Sequence, residues 1–150
     1  MNDYDKVALV DKEQLQKLLS NQRSKYNFDK YICFKLVHSD GGPINSKKRF
    51  FDAAQYSLPI AHKVTQNWDA LSDVLWQGFD NLSIEHVDII WDTRDLIESN
   101  SRSVLIYGAG FLLDTLNGLK ENYGARRNIS FRVILYAQDK SVLKNWKDPF

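Results

Sequence analysis

The sequence predicts an α/β domain: a small, mostly parallel sheet of three or slightly more strands packed by helices, with an extra helix at the N-terminus. Three observations carry this. The runs YICFKLV (31–37), HVDIIW (86–91) and ISFRVILYA (129–137) are rich in β-branched and aromatic residues and read as strands. Long segments with helical spacing separate them and no tight hairpin signal joins two of them directly, so crossover connections and parallel pairing are expected. Finally, 150 residues that are 43% hydrophobic and 26% charged suit a single core.

Each element has a local reason. Asp11 and Gln14 have capping-box spacing, and Leu15, Leu18 and Leu19 recur at helical intervals, so residues 12–23 should form an amphipathic helix that covers one sheet face. A polar linker leads to the first strand, where Ile32, Phe34 and Leu36 share one face and Cys33, Lys35 and Val37 the other; Cys33 is thus a packing residue. After the Gly-Gly-Pro loop, Ser46 caps a helix to about Tyr56, which Phe50, Phe51, Ala54 and Leu58 anchor and Pro59 ends. Asn67 caps the next helix, from Trp68 to about Gly78, where glycine is expected in the left-handed C-terminal conformation. DTRDLIESN (92–100) reads as a short helix or turn. SVLIYG (103–108) is strand-like, and Leu112, Thr115, Leu116 and Leu119 then follow at helical spacing to Gly124. In the last strand Ile129, Phe131, Val133 and Leu135 alternate, and the tail adds a turn of helix around Leu143 and Trp146. The organisation expected is a helical extension (1–30), a domain (31–137) and a tail (138–150).

Several function classes find no support. No apolar run approaches the roughly 20 residues of a membrane span, and MNDYDKVALVDKEQ lacks the pattern of a secretory leader, so a cytoplasmic protein without a membrane partner is expected. One cysteine and the scattered His38, His62 and His86 have no zinc spacing, and no nucleophile, base and acid share a local signature; no metal, no cofactor and no catalysis are expected. An alternative is a nucleotide or small-molecule site at Gly108-Ala109-Gly110, where a strand-like run precedes a helix. The third small position of that fingerprint is Leu113, however, and no acidic residue follows about 20 positions on.

Charge is more informative. Residues 67–98 hold eight acidic residues against Arg94 alone, a net −7, while the remainder is +8. Such a block attracts a basic partner and repels phosphate, so direct nucleic-acid binding is not expected. On a helical wheel Trp68, Leu71, Leu75 and Phe79 form a burying stripe, with Val74 and Gly78 beside it. Asp69, Ser72, Asp73 and Trp76 form a second stripe about a quarter turn away. Asp69 suits the helix dipole, but Asp73 one turn on repels it by a few tenths of a kcal/mol. Charge beside a tryptophan is the composition of an interface centre, and packing of Trp76 under a neighbouring segment is the competing explanation.

The run N-W-D-A-L-x-D-V-L (Asn67 to Leu75), followed after a loop by the strand VDIIW, resembles barstar and the barstar-like ribonuclease inhibitors. The resemblance covers about residues 31–137 through its element order. It implies an immunity protein that plugs the active site of a cognate toxin, a ribonuclease domain, in a 1:1 complex, and is itself a monomer when free. It also implies that Asp69 and Asp73 face the enzyme in place of substrate phosphates. Departures are Ser72, where the family has a tryptophan, with Trp76 one turn on; a rim rewritten as IAHKVTQ, which brings in Lys63 and Gln66; and a last helix offering Asn117, Gly118, Lys120 and Glu121 where the family has acidic contacts. A non-inhibitory interaction module that kept the fold is a further alternative.

Overall fold

A computed structural model of the protein describes residues 7–25, 30–60, 62–82, 85–93, 99–123 and 130–136. Strands β1 (Val7–Val10), β2 (Tyr31–Leu36), β3 (His86–Asp92) and β4 (Ser130–Tyr136) alternate with helices α1 (Lys12–Lys25), α2 (Lys47–Ser57), α3 (Trp68–Asp80) and α4 (Ser99–Tyr123), with α2 and α3 consecutive. The sheet order is β1-β4-β3-β2, and every pairing is parallel.

Chain direction explains the placement of the helices. The steps from β2 to β3 and from β3 to β4 cross the sheet one way, and the step from β1 to β2 goes the other way. Right-handed crossovers therefore put α1 on the face opposite α2, α3 and α4. The core divides accordingly. Phe50, Leu71, Leu75 and Leu112 pack with Val87, Ile89, Phe131 and Val133 in the larger cluster. On the other face, Leu15, Leu18, Leu19 and Cys33 pack on Val10, Ile90 and Ile134, which gives α1 the covering role expected of it. The two faces follow strand alternation: Val87 and Ile89 point one way, Ile90 the other.

Three local expectations are corrected. The N-terminal segment contributes more than a helix, because Val7–Val10 pairs along Val133–Tyr136 as the fourth strand. Four residues running straight into a capping box are too short a stretch for alternation to register. Gly78 is not a left-handed cap; α3 continues to Asp80, and a Cβ at Gly78 would overlap the Pro59 carbonyl, so the glycine permits close approach of the preceding connection. The strand-like SVLIYG is the first half of α4, whose Leu105, Ala109 and Leu112 are buried between the sheet and the other helices. A short apolar run is ambiguous between strand and helix, and here Leu105 is buried while Tyr107 is exposed, so the run shows no strict alternation to separate the two. The expected turn at Leu143 and Trp146 and the ends Gly124, Ile129 and Ala137 lie outside the described residues.

The α1 face holds a polar cluster that pattern reading did not anticipate. Asp88 of β3 is fully buried, and Arg132, its register partner on β4, donates Nε and Nη2 to the two carboxylate oxygens at 3.0 and 2.9 Å. The Tyr31 hydroxyl donates to the same carboxylate at 2.6 Å. Burial, then the hydrogen bond and charge of Asp88, push the Tyr31 phenol well above its usual range.

Candidate functional site

Helix α3 is held on two sides. Asn67 begins it, its side chain accepting from the Ala70 N–H at 3.2 Å, and Leu71, Val74, Leu75 and Phe79 enter the core. Phe79 meets Phe34 and Phe131 edge-on at 5.8 and 6.0 Å, so the helix is fixed to both β2 and β4. Toward α4, the Trp76 indole N–H donates to the Thr115 carbonyl at 2.8 Å, and the Ser72 and Thr115 hydroxyls lie 3.3 Å apart. The Trp76 ring lies over Gly118, where a Cβ would come within 2.8 Å of the ring; that glycine makes the seat.

The second stripe therefore divides. Ser72 and Trp76, both half-buried, dock α3 on α4, while Asp69 and Asp73 are exposed and have no ion pair among the described residues. Trp76 keeps an accessible edge and lines a depression of about 180 Å³ with Asp73, Gln77 and Asp80. Gln77 and Asp80 were not picked out from sequence, although Asp80 lies seven residues beyond Asp73 and four beyond Trp76, on the same stripe. Lys63 and Gln66 are exposed in the connection that precedes α3, outside this depression. Glu121 belongs to α4, and its side chain lies outside the described residues.

The acidic block is not one surface. Asp88 turns into the protein toward Arg132, and Glu85 pairs with Lys30 at 3.1 Å. On α3, what remains of it is Asp69, Asp73 and Asp80.

The glycine segment is corrected as well. Gly108, Ala109 and Gly110 are buried within continuous helix, and a Cβ at Gly108 would press on Phe50 and Trp91 at 2.7 and 3.0 Å. Their backbone N–H groups belong to a helical ladder and form no anion-cradling loop, so the nucleotide alternative loses its structural basis. Among the described residues no group of three or more His, Cys, Asp or Glu side chains could hold a metal ion, and no helix is long and apolar enough to cross a membrane.

Residues 34–136 match the family model of barstar, the barnase inhibitor, well over half of the chain and the whole span from within β2 to the end of β4. Comparison with curated proteins and with solved structures gives no match. The matched span contains α3, both exposed aspartates and the seat of Trp76 on α4. The chain belongs to the barstar family, whose members are inhibitors, and its role is protein binding of the barnase-inhibitor kind.

Proposed function

We propose that the protein is a cytoplasmic immunity protein that neutralises one cognate toxin, a ribonuclease domain, by burying the outer face of α3 in the toxin's active site as a 1:1 complex. Asp69 and Asp73 take the positions of substrate phosphates, and Ser72, Trp76, Lys63, Gln66 and Glu121 form the surrounding contact. One observation carries the reading: two exposed carboxylates one helical turn apart, without an ion pair among the described residues, on a helix whose other sides are spent in the core and on α4. A rigid support suits this task, since carboxylates already held in place lose little freedom on binding. Their mutual repulsion costs the free helix a few tenths of a kcal/mol, which a basic partner would offset.

The interface is expected to be of standard size, about 800 Å² on each partner. Exposed charges steer the encounter, so association should slow as salt is added. The rewritten rim around Lys63 and Gln66 is where one toxin is told from another, because related inhibitor pairs are separated by such clashes and unmatched charges. The test is to identify the reading frame beside this one and co-express its product, as a candidate toxin, with this protein. Rescue of growth by the wild-type protein, lost with Asp69→Ala plus Asp73→Ala, is the expected result. No rescue would leave a non-inhibitory interaction module as the better account, and equal rescue by that variant would remove the two aspartates from the inhibitory contact.

A further inference from the structure

A second surface has the opposite character. Lys47 is the first residue of α2 and Trp68 the first of α3, so the N-termini of both helices meet at one cavity of about 330 Å³, which Phe50, Val104 and Tyr107 complete. Its volume falls at the low end of small-ligand sites, about 300–1,000 Å³. The walls are aromatic and apolar, and other rings hold them from behind: Trp68 packs at a tilt on Phe51 and Phe111, with ring centres 4.6 and 4.8 Å apart, and Phe50 packs on Trp91 at 5.6 Å. Tyr107 of α4 is 71% exposed and lines the cavity on its solvent side.

The charge at the mouth is as informative as the walls. The first turn of α2 reads Lys47-Lys48-Arg49 with no acidic residue, the wrong sign for the positive end of a helix dipole. Arg49 is answered by Asp40, which accepts two hydrogen bonds at 2.7 and 2.9 Å. Lys47 and Lys48 have no ion pair among the described residues, and the Lys47 ammonium stands over the Trp68 ring at 5.5 Å and the Phe51 ring at 5.8 Å. At α3 the dipole is answered by Asp69, but Lys47 and the N-terminus of α2, whose first turn has no acidic residue, bring positive potential to an aromatic cavity and favour an anion there.

We propose that this cavity binds a small planar aromatic carboxylate, its ring against Trp68, Phe50 and Tyr107 and its carboxylate at Lys47. The site is independent of the inhibitor reading, because its charge is opposite to that of the outer α3 face and no toxin is needed to observe it.

The test titrates the full chain with naphthoate and, separately, with the neutral naphthalenemethanol, followed by calorimetry and tryptophan fluorescence. One-to-one saturable binding is expected, with naphthoate about fivefold tighter than the alcohol, the size of an exposed ion pair. Lys47→Met, which keeps the aliphatic stem, should erase that preference and leave the alcohol's affinity unchanged. Tyr107→Ala, at an exposed position that circular dichroism can show to be folded, should weaken both probes. Absence of saturable binding, equal affinity for the two probes in the wild type, or wild-type binding by folded Tyr107→Ala would overturn the proposal.

Discussion

Asp88 and Asp73 are the same side chain under opposite physical conditions, and the contrast separates what holds this protein together from what it offers a partner. Asp88 is fully buried on β3, with both oxygens on Arg132 and one also on Tyr31. A carboxylate can leave water only on such terms, since an unpaired buried charge costs several kcal/mol. Asp73 stands exposed on α3 with no ion pair among the described residues. Nothing in the fold requires its charge, and one turn from Asp69 it slightly opposes its own helix. Net charge along the chain counts the two alike; burial separates a structural carboxylate from one available for recognition.

The contrast breaks most sharply at Arg132. Arg132→Met leaves Asp88 buried without its cation and should cost about 3–5 kcal/mol of stability in a denaturant titration. Replacing both partners, Asp88→Leu with Arg132→Met, should recover most of that loss, because two well-packed apolar side chains need no pairing. If the single variant unfolds like the wild type, Asp88 is not the uncompensated charge that the geometry makes it.

The reverse behaviour is expected at Asp73. Asp73→Ala should change stability by no more than about 0.5 kcal/mol, as surface substitutions do. Affinity for the proposed ribonuclease partner should fall by about 2–5 kcal/mol, as when one member of a desolvated charge pair is removed. Calorimetric binding and thermal unfolding of the same preparation separate the two effects; wild-type-like affinity would remove the outer α3 face from the interface.

Legibility in the sequence follows the same division. The burying stripe of α3 was readable because Leu71, Val74, Leu75 and Phe79 recur with the helical period and enter the core. Parallel pairing was readable from three apolar runs divided by long helical segments. The Asp88–Arg132 pair was not, because the residues are 44 apart in sequence and only the β3–β4 register makes them neighbours. Gly118 read as a departure from an acidic helix end, and its use became visible only with the Trp76 ring above it. Asp69 and Asp73 were legible as an anomaly, two carboxylates where the helix needed one, and the fold accounts for their exposure without assigning them a partner.

Trp76 stands between the two classes. Its N–H serves Thr115 and its ring covers Gly118, yet one edge lines the depression beside Asp73. Trp76→Phe removes the hydrogen bond and keeps an aromatic ring, so a loss of about 1 kcal/mol in stability is expected, with an affinity change below that of Asp73→Ala. An affinity loss matching Asp73→Ala without any change in stability would move Trp76 from the packing class to the presenting class.

A stability loss of the same size, with no effect on affinity, is expected at Tyr31, and it isolates the buried side of the comparison. Tyr31→Phe removes one of the hydrogen bonds to Asp88 while Arg132 remains, which should cost about 1 kcal/mol at neutral pH. The phenol also gives this cluster an alkaline limit. Its folded pKa is raised, chiefly by burial and then by Asp88, above the unfolded value of about 10. Below that unfolded value both states keep the proton and the contribution is complete. As pH rises past about 10 the unfolded chain releases the proton while the folded protein retains it, so stability falls. Subtracting the Tyr31→Phe denaturation curve from the wild-type curve cancels the other tyrosines and lysines. The difference should be flat from neutral pH to about pH 9.5 and decline beyond it. A difference that stays flat at higher pH would mean that the phenol titrates alike in both states and that Asp88 relies on Arg132 alone.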